Sequence, residues 1–245
     1  MLQGQRVLAV VPARSGSKGI RDKNLQPLNG ISLIGLAGRV LEPLTWIDRR
    51  IISTDCAEYA REGERHGLEA LFLRPVDLST DAASAVETVQ HALHATEEAV
   101  GERYELIMLV EPTSPFRLPA DLERVARRLV ERGVDSVVTV SPFSSKNHPM
   151  KALRIGADDR LEFYLNHGRS VVGRQTLEPL HWRNGICYVI TRACLIEQQT
   201  LFGRHCLAEV TSHLVVNIDE PWELEWAQFA LDHKWFSFET SSVIR

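Results

Sequence analysis

The stretch Val10–Asn24, VVPARSGSKGIRDKN, gathers the residues best able to do chemistry. Gly16 and Gly19 let backbone amides come close to a ligand, and successive amides can cradle anionic oxygens. Arg14 offers a planar fork suited to phosphate, while Lys18 and Lys23 add point charges. A helix after the loop would add the positive end of its dipole. Such a set can hold a polyphosphate; the plainer reading of the same residues is a solvated basic turn. A Walker loop would need Ser or Thr after the lysine, but Gly19 follows Lys18, and GxGxxG is absent. A P-loop ATPase and a dinucleotide oxidoreductase are therefore disfavoured.

This loop has to be carried by a strand that ends where it begins. Apolar, β-branched runs recur at Val7–Val11, Ile51–Ser53, Ala70–Leu73, Leu106–Val110, Ser136–Val140, Ile186–Ile190 and Leu214–Ile218. Helical faces alternate with them: Leu33, Ile34, Ala37, Val40 and Leu41; Val86, Val89 and Leu93; Leu118, Leu122, Val125, Ala126, Leu129 and Val130. Ser84 and Glu87 form a capping box for the second face, and Gly133 closes the third. The alternation predicts an α/β protein: a mostly parallel, Rossmann-like sheet with helices on both faces. Ligands of such sheets sit at the carboxyl ends of the strands, where the basic loop lies.

Between Pro142 and Asn184 the pattern breaks into short strand signals and many polar residues, which read as an excursion serving as a lid or dimerisation arm. One domain over residues 1–235 is expected, with 142–184 as its insert and 236–245 as a partly disordered tail. The net charge of −4 argues against nucleic-acid or membrane-surface binding. No apolar run is long enough to span a membrane. Cys56, Cys187, Cys194 and Cys206 form no CxxC pair and read as buried free thiols of a cytoplasmic protein.

PARSGSKGIRDKN followed by LNGISLIG resembles the opening of the acylneuraminate cytidylyltransferases, the CMP-sialic acid synthetases. The resemblance continues in order along nearly the whole chain. ISTD ends at Asp55; LRPVDLSTDAAS covers Leu73–Ser84, VEPTSPFR Val110–Arg117, HPMKAL His148–Leu153, GRQTLEP Gly173–Pro179, NGICYV Asn184–Val189 and NIDEPWELEWA Asn217–Ala227. Single pieces are weak signals; their ordered set is specific.

The resemblance implies that CTP is joined to the anomeric hydroxyl of a nine-carbon 2-keto acid sugar, by in-line attack on the α-phosphorus with release of pyrophosphate. Such chemistry needs positioning and charge neutralisation more than a covalent nucleophile. By the same resemblance, Arg14, Ser17, Lys18 and Lys23 hold the triphosphate and stabilise the leaving pyrophosphate. Asn24 helps place the nucleotide, and Arg74 and Ser84 match a segment that contacts cytidine; Ser84 is also the helix cap read above. Lys151, Arg174, Gln175 and Asn184 match the sugar site, with Arg169 and Arg183 as neighbours; each is otherwise a solvated polar residue. A Mg²⁺ site and a homodimer, its arm formed by the excursion, are implied as well.

Two positions depart from the family pattern. Glu111 stands where Gln usually precedes Pro-Thr-Ser-Pro; a carboxylate accepts a hydrogen bond from cytosine's amine or from an amino substituent on the sugar, but donates none. Asn217 and Asp219 stand where the family has two Asp flanking an Ile, which leaves Asp219 as metal ligand and Asn217 with a neutral amide oxygen. Asp219 otherwise reads as a cap for a helix at Pro221–Leu231. Asp55 and Asp81 are spare carboxylates. His148, before Pro149, is a candidate general base, though the resemblance gives its segment a sugar-side or lid role. The same chemistry on legionaminic acid, pseudaminic acid or Kdo is an alternative. A nucleotide-sugar binder that has lost catalysis is another, motivated by Glu111 and Asn217.

Overall fold

A computed structural model describes residues 1–166, 168 and 173–238. It divides into two units: Met1–Thr139 together with the chain from Asn184 onward, and Val140–Arg183.

In the first unit, strand β1 (Val7–Pro12) is apolar on both faces because helices cover both. Val7, Ala9 and Val11 pack with Ile34, Ala37 and Leu41 of helix α1 (Leu33–Leu41) and with Leu122, Val125 and Leu129 of α4 (Pro119–Arg132). Leu8 and Val10 point the other way, against Val89, Ala92 and Leu93 of α3 (Ala85–Val100). The period of two along the strand thus meets a period of 3.6 on each covering helix.

Six strands form the main sheet in the order β10 (Cys206–Val210), β6 (Ser136–Pro142), β9 (His181–Thr191), β5 (Leu106–Leu109), β1 and β4 (Arg49–Ser53). β1 pairs parallel with β4 and with β5, whereas β9 runs antiparallel to β5. The expected α/β architecture is present. Helices α2 (Ala57–Arg65), α5 (Arg192–Ile196) and α6 (Pro221–Asp232) complete it, with a small hairpin, β2 (Pro27–Leu28) and β3 (Ile31–Ser32), after the basic loop. The second unit contains the hairpin β7 (Leu153–Ile155) and β8 (Leu161–Phe163). No helix among the described residues is long and apolar enough to cross a membrane.

Local signals account for the helix ends. Ser84 accepts from Glu87 N and Glu87 reaches back to Ser84 N, so the capping box starts α3; such caps contribute about 1 kcal/mol. Gly133 ends α4 in the left-handed region at φ 59°.

Two expected strands are absent. Ala70–Leu73 makes no ladder: after a single bridge between Ile51 and Glu69 the chain leaves the sheet, and Leu73 faces water. Leu214–Ile218 joins no ladder; Ile218 N donates to Thr113 O at 2.7 Å. Leu214, Val216 and Ile218 pack instead with Phe116, Ala227 and Phe236 in a third core cluster under α6, while Val215 packs against the first core. Phe236 stacks on Phe116 with ring centroids 4.4 Å apart, so packed chain continues beyond residue 235. Residues 239–245 of the expected tail lie outside the described residues. All four cysteines are free; Cys187 and Cys194 are buried, Cys56 is half-buried, and Cys206, expected to be buried, is exposed on β10, whose alternate residues face water.

The half-buried His213 against buried Asp121 is expected to make stability depend on pH. His213 faces an acceptor at each ring nitrogen: Asp121 Oδ2 at 2.7 Å from Nε2 and Leu214 O at 2.9 Å from Nδ1. Two acceptors call for the doubly protonated ring. Burial presses the imidazolium down, but the bonds to Asp121 and Leu214 outweigh it and raise His213 above the ordinary histidine range. Burial likewise pushes Asp121 up, and His213, with Leu118 N and Arg124, more than reverses it. A raised histidine stabilises fully below its unfolded pKa of about 6.5, and that contribution is lost as pH rises through the folded value. The Tm deficit of His213→Ala relative to the unsubstituted protein is therefore expected to be larger at pH 6 than at pH 9. Equal deficits at the two pH values would show that the native ring is uncharged.

Candidate active site

β1, β4 and β5 end side by side, and the loops leaving them build a cleft of about 430 Å³ in the first unit. Arg14, Ser17, Lys18, Gly19, Lys23 and Asn24 come from the loop after β1; Arg74 follows β4; Glu111, Pro112 and Thr113 follow β5; Asp219 and Glu220 precede α6. Most of the residues expected to bind nucleotide therefore share one cleft.

Several ties hold the basic loop. Ala13 N donates to Ser53 O, extending the β1–β4 ladder by one bond. Gly16 turns at φ 69°. Ser15 donates to Asp55 from both its N–H (2.8 Å) and its hydroxyl (2.6 Å). Burial pushes the Asp55 carboxyl up, yet the Ser15 bonds, with its own backbone N–H and Arg74, outweigh it and hold it below the usual carboxylate range. Asn24, buried, donates from Nδ2 to Arg14 O at 3.2 Å, which closes the loop on itself. Its Oδ1 has no partner among the described residues. A three-residue 3-10 turn, Lys23–Leu25, and the β2–β3 hairpin stand between the loop and α1, so the expected helix does not begin at the loop. The helix that starts at the cleft is α3, through Ala85 and Thr88.

Each cation of the loop meets a carboxylate. Asp81 accepts from Arg14 and lies 2.6 Å from Lys18 Nζ, so it is no spare group; the two cations hold its carboxyl below the usual range. Lys23 Nζ lies 2.7 Å from Asp219 Oδ1. Asn217 points its Nδ2 at Asp219 Oδ2 at 3.4 Å, while its Oδ1 accepts from Ser114 at 3.2 Å. Asn217 thus supports Asp219, and its amide oxygen is turned to Ser114. The cap of α6 is Glu220, with Glu223 reaching back; Asp219 leaves its carboxylate in the cleft. Arg74 is buried, and its Nε and Nη2 have no partner among the described residues. Burial lowers its pKa, with Asp55 working against the fall.

Other expected site residues stand elsewhere. Ser84 does not line the cleft, because its hydroxyl is spent on the cap with Glu87. Asn184 is fully buried; its amide bonds Thr211 and Ile186 N, and its carbonyl accepts from Ser114 at 2.8 Å. Lys151, Gln175 and Arg183 are exposed residues of the second unit, and the first unit's cleft is built without them. Arg174 lies in a short 3-10 turn of that unit, and Arg169 falls outside the described residues. His148 is no free base: Nε2 lies 2.9 Å from Glu178 O, and Nδ1 accepts from Met150 N at 3.2 Å. Both nitrogens serve the local turn.

Sequence reasoning missed Arg117, 2% exposed, which donates to the carbonyls of Glu111 and Ser114. Its signal was an arginine closing an otherwise apolar Pro-Phe step in VEPTSPFR.

A cytidylyltransferase family model matches residues 8–181. The chain is 27% identical over 223 residues to the N-acylneuraminate cytidylyltransferase of Escherichia coli O18:K1:H7, covering 91% of this chain and 51% of that one. It is 27% identical over 229 residues to the CMP-N,N'-diacetyllegionaminic acid synthase of Legionella pneumophila, covering 91% and 94%. It spans about half the length of the first relative and nearly all of the second. A solved structure of CMP:2-keto-3-deoxy-manno-octonic acid synthetase complexed with CTP matches at TM-score 0.67 and 14% identity, over 94% of this chain and 99% of that one, which shows a shared fold. With the model matching well over half its length, this chain belongs to the cytidylyltransferase family.

Proposed function

We propose that the protein joins CTP to a nine-carbon 2-keto acid sugar, N-acetylneuraminic acid or a related acid such as legionaminic acid, giving a CMP-sugar and pyrophosphate. The observation that carries this reading is the convergence of Arg14, Lys18, Lys23 and Arg74 on one cleft at the carboxyl edge of the sheet of a cytidylyltransferase. The sugar's anomeric oxygen forms a bond to the α-phosphorus as the bond to the bridging oxygen of pyrophosphate breaks, and the hydroxyl proton passes to water. Arg14, Lys18 and Lys23 neutralise the leaving pyrophosphate, and these fixed charges need no reorganisation as the transition state forms. Arg74 and Asn24 bring unsatisfied buried polar atoms to the same cleft, and a nucleotide would partner them.

Mg²⁺ fits the site as an ion shared with substrate. Asp219 offers one carboxylate beside the phosphate-binding lysines, and Mg²⁺ needs only one or two carboxylates when phosphates and water complete its shell. Among the described residues no cluster of His, Cys, Asp and Glu could hold a metal ion alone. When bound, the ion supplies charge neutralisation on the transferred phosphoryl group.

The second unit is the proposed homodimer arm and the carrier of sugar-binding Lys151, Arg174 and Gln175. Its hairpin exposes Leu153, Ile155 and Leu161 together with Tyr164, an apolar surface suited to a second copy. Four free thiols fit a reducing cytoplasm.

The test is pyrophosphate release from CTP and Mg²⁺ with N-acetylneuraminic acid, legionaminic acid, pseudaminic acid and Kdo in parallel. Release with one of the nine-carbon acids, by a protein sedimenting at twice its 27.6 kDa chain mass, is expected. CTP binding without release from any sugar would favour the non-catalytic binder.

A further inference from the structure

We propose that Arg117 is the positioning residue of the cleft floor. Its guanidinium fastens the turn Glu111–Ser114, and through Ser114 it sets where Asn217 and Asp219 stand. Its rate readout rests on the cytidylyltransferase reading.

Glu111 and Ser114 open and close the turn, and Ser114 N donates to Glu111 O at 3.1 Å. Arg117 Nη2 donates to the carbonyls of both, so one nitrogen spans the turn from end to end. Between these anchors lie Pro112 and Thr113, which line the cleft with Glu111. Beyond them the contact continues: the one Ser114 hydroxyl proton is shared between Asn184 O at 2.8 Å and Asn217 Oδ1 at 3.2 Å, and Asn217 Nδ2 donates to Asp219 Oδ2 at 3.4 Å. A buried guanidinium is thereby joined by hydrogen bonds to a cleft carboxylate more than a hundred residues away in sequence.

The arrangement is costly if it only fills space. Arg117 Nε and Nη1 have no partner among the described residues. Burial pushes its pKa down to about 10. An apolar side chain would fill the same volume without desolvating a charge. Arg117 also lines a separate cavity of about 880 Å³ whose walls include Leu36 and Val40 of α1, Pro119 of α4 and Leu231 of α6. That cavity gives small solutes a route to position 117 once the side chain is truncated.

The experiment compares Arg117→Ala and Arg117→Met with the unsubstituted protein in pyrophosphate release, CTP affinity by calorimetry and thermal melting. Because a displacement of about 1 Å can cost about 100-fold, Arg117→Ala is expected to lose about 100-fold in kcat/KM for CTP. Guanidinium ion at tens of millimolar is expected to restore at least tenfold of it, and neutral urea at the same concentration is not. If Arg117→Ala does not fold, Arg117→Met, of similar length, is read the same way and is expected to lose at least tenfold. Unchanged kcat/KM in a folded variant, or a loss in Arg117→Ala that guanidinium does not relieve, would overturn the assignment. An unsubstituted protein that binds CTP but releases no pyrophosphate would sink the functional reading alone; Arg117 is then judged by whether guanidinium restores CTP affinity to Arg117→Ala.

Discussion

Asp219→Ala is expected to lower kcat with CTP by about 1,000-fold while leaving CTP binding equal or tighter. The two halves of that result have one cause. Asp219 is the proposed carboxylate that would share a metal ion with substrate phosphate, and such an ion contributes several kcal/mol to phosphoryl transfer, where each 1.36 kcal/mol is tenfold. Yet before substrate binds, its Oδ1 lies 2.7 Å from Lys23 Nζ, and Lys23 is a proposed ligand of the triphosphate. Removing the carboxylate frees the lysine for phosphate as it removes the proposed metal ligand. Steady-state kinetics at saturating Mg²⁺, with calorimetric CTP titration, separates the effects. A kcat within about tenfold of the unsubstituted value would mean that Asp219 does no more than neutralise Lys23. Asn217 sharpens the case: a second Asp there would repel Asp219 in the absence of metal, whereas the amide donates to it.

Much of the scaffold could be read from periodicity, since a strand covered on both faces must be apolar at every position, as β1 is. The same rule misled at Leu214–Ile218, because apolar side chains can be buried under a helix as well as in a ladder, and only the third cluster under α6 decides between them. Helix α2 escaped notice because its buried contribution is small, Tyr59, Ala60 and Gly63. For the site, composition located the basic loop, but the partners of its charges are distant in sequence: Arg14 with Asp81, Lys23 with Asp219, Ser15 with Asp55. No local pattern announces such pairs. His148 looked available because nothing in HPMKAL shows that Glu178 O closes on its ring.

Gly19→Ala is expected to lower kcat/KM for CTP by about 100-fold with a fall in Tm of only a few degrees. A Cβ at residue 19 would stand 2.4 Å from the carbonyl oxygen of Asp219 and 3.5 Å from its carbonyl carbon. Backbone meets backbone there, so no side chain can rotate away. Either the basic loop lifts or the chain before α6 recedes, and both movements pull Lys23 away from Asp219. A shift of about 1 Å between groups that must act together costs about 100-fold. Overpacking itself costs about 1–3 kcal/mol, a few degrees in a chain of this size. Kinetics and a melting curve on the same preparation check both halves, and a folded variant with unsubstituted kcat/KM would show that the close approach is incidental. Gly16→Ala provides the contrast. Gly16 has nothing within 4 Å of its Cβ position and needs glycine only for its φ of 69°. A left-handed non-glycine residue costs about 1–2 kcal/mol and leaves the loop against Asp219, so activity is expected to survive there. The two glycines of one loop are thus required for different reasons, one for the turn and one for the space that lets Lys23 reach Asp219.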